Sequence, residues 1–187
     1  MPTSSSATPR VTPPWRQFLA EVDQLLAAPV ELHCLGGFAI TECYGLPRPT
    51  SDVDYIAVRP LDAQRYLEEI AGRGSALAKK YRVYLQYVGV VDLPEDYEQR
   101  LLEVYPRAFR CLRIFALEAY DLVLSKLERN SPKDREDVEF LVQRIPLDPK
   151  VLSYRYEKEL RPYLANAERH DLTLKLWLDA YFPPQQS

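Results

Sequence analysis

The stretch from Leu32 to Val58, LHCLGGFAITECYGLPRPTSDVDYIAV, decides the fold. It predicts a buried strand, a glycine pair that opens a short helix, a polar loop, and a second strand that begins with two carboxylates. Alternate side chains of a strand point the same way, so Asp52 and Asp54 are expected on one face. Two neighbouring carboxylates repel each other, and a cation between them relieves that repulsion. Ligands that are all oxygen atoms suit Mg²⁺ or Mn²⁺.

The glycine pair, Gly36 and Gly37, stands where the first strand meets the short helix. Backbone N–H groups at a helix N-terminus form an anion site, and glycine lets a phosphate approach the backbone closely. The stretch therefore predicts triphosphate oxygens on these N–H groups, with metal ions bridging the phosphates and the two acids. That arrangement is typical of in-line displacement at phosphorus.

The composition is that of an ordinary globular chain. The 187 residues are 47% hydrophobic and 27% charged, which allows one domain or one domain with a small appendage. A net charge of −3 excludes a strongly basic nucleic-acid coat protein. Three scattered cysteines without a CxxC pair argue against a disulfide framework or a zinc site. The sequence shows no signal peptide and no apolar run of membrane-spanning length, so we expect a cytoplasmic protein without a membrane partner.

The order of the predicted elements indicates an α/β (α+β) fold, a small mixed sheet flanked by helices and followed by a C-terminal helical subdomain. We expect a disordered tail over residues 1–14, a sheet domain over 15–116 and the helical subdomain over 117–187. The third predicted strand is apolar on both faces, which favours a central, covered position. The strands are predicted at Val30–Leu35, Asp52–Val58, Val83–Val91 and Ala108–Phe115.

Helices are predicted wherever apolar residues recur at helical spacing. One of them begins at Lys133 and carries Asp134 and Asp137 in its first turns, where acids favour the helix dipole. The others are expected from Trp15 to before Pro29 and at Phe38–Tyr44, Asp62–Ala71, Leu117–Arg129, Val151–Ala165 and Asp171–Phe182.

Five motifs carry a resemblance to a known family: Leu35–Ala39, Gly45–Arg48, Thr50–Asp54, Lys126–Arg129 and Lys133–Val138. Together they resemble the nucleotidyltransferase fold of the DNA polymerase beta superfamily. More narrowly, the chain is similar to the AbiEii-like and DUF6036 nucleotidyltransferases, many of which are toxins of toxin–antitoxin pairs. The resemblance covers roughly residues 30 to 145.

The resemblance implies transfer of a nucleoside monophosphate from an NTP and gives each motif a role. A distal acid needed for activity is either Asp134 or Asp137, and both alternatives stay open. In the matched positions, Gly36 and Gly37 cradle phosphates, Asp52 and Asp54 bind metal, Lys126 contacts a nucleotide phosphate, and Arg48, Thr50 and Lys133 are further nucleotide-binding candidates.

A third metal-binding acid is less evident. Classical members of the superfamily carry one on a later strand, whereas this chain has Gln86 at the centre of the predicted third strand. Asp92, at the end of that strand, is the candidate third ligand. Otherwise the site works with the two acids of the second strand.

The toxin branch implies a tRNA 3′ end or a protein hydroxyl as acceptor and an antitoxin protein as partner. Two alternatives are a non-catalytic member that binds nucleotides or proteins, and a small-molecule nucleotidyltransferase of the antibiotic-modifying kind. The two histidines, His33 and His170, are predicted to have structural roles.

Overall fold

The computed structural model describes residues 14–48 and 50–183. The disordered tail predicted for residues 1–14 therefore lies, except for Pro14, outside the described residues. In chain order the elements are α1 (Trp15–Leu25), β1 (Val30–Cys34), α2 (Gly36–Tyr44), β2 (Asp52–Arg59), α3 (Ala63–Ala71), α4 (Ala76–Tyr81), β3 (Tyr84–Tyr87), β4 (Leu102–Val104), β5 (Leu112–Ala116), α5 (Ala119–Leu124), α6 (Pro132–Arg144), α7 (Pro149–Arg155) and α8 (Ala167–Tyr181).

Within the described residues, the five strands form one mixed sheet in the order β3-β2-β1-β5-β4. β1 lies at the centre, antiparallel to β2 and parallel to β5. β3 runs parallel to β2, and β4 runs antiparallel to β5. This mixed α/β architecture confirms the predicted fold class.

The first strand and short helix formed where the sequence placed them. β1 is buried at four of its five residues, and α2 ends at Gly45, which adopts the left-handed conformation with φ 79°. That conformation carries little steric penalty for glycine, and it closes the helix before the polar loop. The chain can then reverse and enter β2 antiparallel to β1.

The third strand differs from the prediction. We expected a central strand over Val83–Val91, but β3 spans only Tyr84–Tyr87 and lies at an edge of the sheet. Leu85 is buried, whereas Tyr87 is 40% exposed and Val90, beyond the strand, is 92% exposed. The prediction of a central strand is wrong. An apolar run does not distinguish a strand that is buried on both faces from an edge strand followed by an exposed apolar loop.

The other edge strand, β4, was not predicted. No strand was predicted between Val91 and Ala108, where the structure has a 3₁₀ turn at Tyr97–Arg100. Leu102–Val104 then pairs antiparallel with β5, which itself begins at Leu112 rather than at Ala108. A three-residue strand is too short to show a period of two.

Two predicted helices are shorter than expected. The helix predicted over Leu117–Arg129 is α5, which ends at Leu124 and continues as turns. The helix predicted over Val151–Ala165 is α7, followed by a π-helical turn and a 3₁₀ turn at Arg161–Tyr163. Pro162 explains why the helix does not continue to Ala165, since proline lacks an N–H group and its ring clashes within an α-helix.

The buried apolar side chains form one cluster that runs from Trp15 and Phe38 to Leu174 and Trp177. It thus includes residues of the predicted sheet domain and of the predicted helical subdomain, a division that stays a prediction. Among the residues that the structure describes, none of the helices is both long enough and apolar enough to traverse a lipid bilayer.

Candidate active site

The two acids of β2 lie on one face of the strand. Asp52 and Asp54 are half-buried, whereas Val53 and Tyr55 are fully buried on the opposite face. The alternation predicted from the sequence therefore holds. It leaves two carboxylates side by side on the face that adjoins α2.

The N-terminus of α2 approaches Asp54 through a residue without a side chain. Gly36 has φ 69°, and a Cβ atom added there would lie 2.8 Å from Asp54 Oδ2. Leu35, which precedes the helix, makes no side-chain cap, and its N–H donates to the Asp54 carbonyl at 3.0 Å. The first N–H groups of α2 therefore have no capping side chain, as an anion site requires.

Two side-chain hydrogen bonds hold the loop between α2 and β2. Thr50 Oγ1 donates a hydrogen bond to Asp52 Oδ1, and Arg48 Nη2 donates to Asp137 Oδ1 on α6. An added Cβ on Gly37 would lie 3.4 Å from the Thr50 side chain. The loop thus lies against both the acids of β2 and the start of α6.

Lys126 is a buried cation between two acids of α6. Its side chain is 5% exposed, and Nζ lies 2.8 Å from Asp137 Oδ2 and 3.3 Å from Asp134 Oδ1. Asp137 is shared, since its other oxygen accepts from Arg48. Lys126, Asp137 and Arg48 therefore form a continuous chain of charged hydrogen bonds.

Asp134 has a full set of local partners. It is the third residue of α6 and forms a capping box with Ser131, and it also accepts from Arg129 Nε at 2.7 Å. Burial by itself would raise the pKa of Asp134, but the hydrogen bonds from Arg129 and Ser131 outweigh it and hold that pKa well below its usual range. These contacts make Asp134 part of the framework of α6.

Asp54 shows the opposite behaviour. Burial, followed by repulsion from Asp52, raises the pKa of Asp54 to about 6, although Lys133, Arg129 and Lys126 partly oppose the shift. Lys133 itself is exposed in the first turn of α6. A carboxylate that is hard to ionise in the free protein gains most from a cation at its side. The acid pair therefore fits a metal ion.

The position beside Asp54 on the next strand holds an amide. In the parallel register of β2 and β3, Asp54 pairs with Gln86, and Gln86 Nε2 donates to Asp54 Oδ1 at 3.2 Å. Asp92 lies beyond the strand, with Oδ2 at 3.2 Å from His170 Nε2. Its assignment as a third metal ligand stays a prediction.

A cleft of about 230 Å³, which we call the Asp54 cleft, brings several predicted residues together. Its wall also contains residues that sequence reasoning did not single out, among them Ser125, Glu128 and Arg129. Arg129 belongs to the Lys126–Arg129 motif, but its place in the cleft wall is seen only in the fold. The predicted residues that line it are Gly36, Asp54, Asp92 and Lys126.

Comparison with known proteins gives one match. A family model described as "Nucleotidyltransferase of unknown function (DUF6036)" matches residues 17–179. Searches of the curated proteins and of the solved structures gave no significant match.

The matched range includes the whole candidate site, from the glycine pair to the acids of α6, and extends through most of α8. It confirms the part of the sequence resemblance that concerns this family, whereas the likeness to AbiEii-like proteins stays a prediction. The chain belongs to the DUF6036 family of nucleotidyltransferases.

Proposed function

We propose that the protein transfers a nucleoside monophosphate from an NTP to an acceptor hydroxyl, with Asp52 and Asp54 holding Mg²⁺ or Mn²⁺. In this reaction the acceptor oxygen bonds to the α-phosphorus, pyrophosphate leaves with the electrons of the broken P–O bond, and the hydroxyl proton passes to solvent. The main support is the position of Asp54 beside Gly36, where an added Cβ would lie 2.8 Å from Asp54 Oδ2, so that an acid pair adjoins a helix N-terminus without a side-chain cap.

The metal would neutralise phosphate charge and bring the triphosphate to the acids. The residues of this chain contribute by positioning the substrate and by their charge. Gly36 and Gly37 present N–H groups to phosphate oxygens, and Thr50 orients Asp52 through its hydrogen bond. Lys126 supplies a fixed positive charge to the wall of the Asp54 cleft.

For Asp137 we propose a positioning role. It is 1% exposed and accepts hydrogen bonds from both Lys126 and Arg48, so it fixes two cations against the loop that precedes β2. Asp134 is occupied by its capping box and by Arg129. The two acids of α6 therefore act by holding cations rather than by taking a proton from the acceptor.

For the acceptor we propose a tRNA 3′ end or a protein hydroxyl, and for the biological role the toxin of a toxin–antitoxin pair. Both rest on the resemblance of Leu35–Asp54 and of the Lys126 and Lys133 motifs to toxin-type nucleotidyltransferases. The exposed Lys133, together with the Arg129 side chain, which is 69% exposed, adds positive charge at the start of α6 for the phosphates of an RNA acceptor.

One observation favours a second candidate function. In this alternative, which we call the second reading, the protein binds a nucleotide without transferring it. Gln86 lies beside Asp54 on the neighbouring strand, whereas classical members of the superfamily carry a third acid on a later strand. With one carboxylate fewer, the site carries less negative charge and would bind a metal ion and its nucleotide less strongly.

Incubation with each α-labelled NTP, Mg²⁺ or Mn²⁺, and total tRNA or cell protein separates the two readings. We expect label transfer with release of pyrophosphate, reduced by about 100-fold or more in Asp52→Asn and Asp54→Asn. Asp62→Asn, which changes an exposed aspartate after β2, is the matched control and should keep full activity. Metal-dependent NTP binding without transfer to any acceptor would establish the second reading, and absence of NTP binding would refute both.

A further inference from the structure

Three side chains of types that bind metals lie close together beside the Asp54 cleft. They are Asp92 in the loop after β3, Glu128 in the turns after α5, and His170 on α8. One ligand atom of each lies within 4.8 Å of the others. Asp92 and Glu128 line the cleft itself.

His170 is the unusual member of this cluster because it is 2% exposed. The sequence predicted a structural role just before the last helix, but the residue lies inside α8. Its Nδ1 is 3.1 Å from the carbonyl oxygen of Asn166, one turn earlier. A carbonyl oxygen only accepts hydrogen bonds, so Nδ1 carries the proton, and in the neutral ring Nε2 has a free lone pair.

The environment of Nε2 is unfavourable for that lone pair. Asp92 Oδ2 lies 3.2 Å away, but not in hydrogen-bond geometry, and Nε2 is buried without a hydrogen-bond partner among residues 14–48 and 50–183. Glu128 Oε2 lies 3.5 Å from the protonated Nδ1, where the contact is attractive, so the carboxylate that opposes the lone pair is that of Asp92. A buried unpaired nitrogen is costly, and a lone pair that faces a carboxylate adds repulsion. A cation coordinated by all three groups would convert this repulsion into attraction.

We propose that Asp92, Glu128 and His170 bind a divalent transition-metal ion, and that Asp92 is a ligand of this second ion rather than of the metal proposed for Asp52 and Asp54. One imidazole nitrogen with two carboxylate oxygens is a donor set for Zn²⁺, Co²⁺ or Mn²⁺, whereas Mg²⁺ prefers oxygen alone. The hydrogen bond from Nδ1 to the carbonyl of Asn166 fixes the orientation of the ring and its tautomer, as such bonds commonly do for metal-binding histidines.

The exposure of the two carboxylates gives the ion a route to the site. The side chains of Asp92 and Glu128 are 41% and 50% exposed, so the ion can enter from solvent and keep water in its remaining positions. Once bound, it joins α8 to the loop after β3 and to the turns after α5. The ion would thereby fix one end of the Asp54 cleft.

The test uses the full chain carrying Asp52→Asn and Asp54→Asn, so that the β2 acids contribute no metal binding and the outcome is independent of nucleotidyl transfer. Zn²⁺ binding is measured by calorimetry, and Co²⁺ binding by visible absorption. We expect one ion per chain. Adding Asp92→Asn or Glu128→Gln, both at exposed side chains, should weaken Zn²⁺ binding by at least about tenfold. Glu69→Gln, at an exposed glutamate on α3, is the matched control and should leave it unchanged.

A second readout follows the histidine directly. On addition of Zn²⁺, the ¹⁵N signal of His170 Nε2 should shift, while that of Nδ1 keeps its protonated position. The proposal is overturned if Zn²⁺ and Co²⁺ do not bind at millimolar concentration, if binding is indifferent to Asp92→Asn and Glu128→Gln, or if the His170 signals do not respond to the metal.

Discussion

Asp52 and Asp54 on β2 and Asp134 and Asp137 on α6 are both pairs of aspartates on one face of a regular element, but their surroundings differ. The α6 pair is buried and shares Lys126, with Arg129 and Arg48 as further partners. The β2 pair is half-buried, and its side-chain hydrogen bonds come from the neutral groups of Thr50 and Gln86. The first pair is neutralised by cationic side chains, whereas the charge of the second is not balanced by a cationic hydrogen-bond partner among the described residues.

The largest expected effect concerns the neutralised pair. Asp134→Ala removes a buried acid that contacts Lys126, Arg129 and Ser131, so the free energy of unfolding should fall by about 3–5 kcal/mol. Chemical denaturation at pH 7 measures this. Glu136→Ala, at an exposed position of the same helix, should change it by less than about 0.5 kcal/mol. Equal effects of the two substitutions would show that the buried network contributes little.

The next effect concerns the contact between the acid pair and α2. Gly36→Ala forces a side chain into a left-handed conformation and places Cβ 2.8 Å from Asp54 Oδ2, so it should destabilise the fold by about 2–3 kcal/mol. Gly45→Ala is the matched control, because φ is 79° but no atom lies within 4 Å of the added Cβ. Gly45→Ala should lower the free energy of unfolding only by the cost of the strained backbone, about 1–2 kcal/mol. If both variants lose the same stability, the close approach to Asp54 is unimportant.

The unbalanced pair should respond in the opposite direction. In the presence of a chelator at pH 8, Asp54→Asn should raise the free energy of unfolding by about 1–3 kcal/mol, because the raised pKa makes ionisation of Asp54 costly. Asp62→Asn should have no comparable effect.

The pH profile sharpens this prediction. Between about pH 4 and 6 the unfolded chain releases the Asp54 proton while the folded protein keeps it, so wild-type stability falls as the pH rises. The gain from Asp54→Asn should therefore be near zero at pH 4 and complete above pH 6. For Asp134, whose pKa is held low, stabilisation is complete above about pH 4 and is lost as the pH falls. A pH-independent gain from Asp54→Asn would contradict the first assignment.

The smallest effect concerns Gln86, which lies beside Asp54 on the neighbouring strand. Gln86→Glu places a carboxylate beside Asp54 on the neighbouring strand and should tighten Mn²⁺ binding by a few-fold to about tenfold, roughly 1 kcal/mol. Calorimetric titration with Mn²⁺ measures this in a chain that also carries Glu128→Gln, which weakens the second proposed metal site, with Gln64→Glu on α3 as the matched control. Unchanged or weaker Mn²⁺ binding would place the metal away from Gln86.

The sequence predicted those parts of the site that depend on local periodicity. The shared face of Asp52 and Asp54 follows from the two-residue period of a strand, and the end of α2 follows from Gly45. The link between Arg48 and Asp137 joins residues 89 positions apart, and no local pattern encodes it. The edge position of β3 was mispredicted because burial on the second face depends on what the rest of the chain covers. The orientation of His170 likewise emerged only from tertiary packing.

The Asp54 cleft takes its walls from distant parts of the chain, with Gly36 and Asp54 on one side and Lys126 on the other. During synthesis on a ribosome, a nascent chain that has emerged only through β2 holds the two acids but no Lys126. The cationic wall is added with the turns after α5, and its fixed position requires Asp137 on α6. The complete Asp54 cleft can therefore form only after the chain has been synthesised through α6.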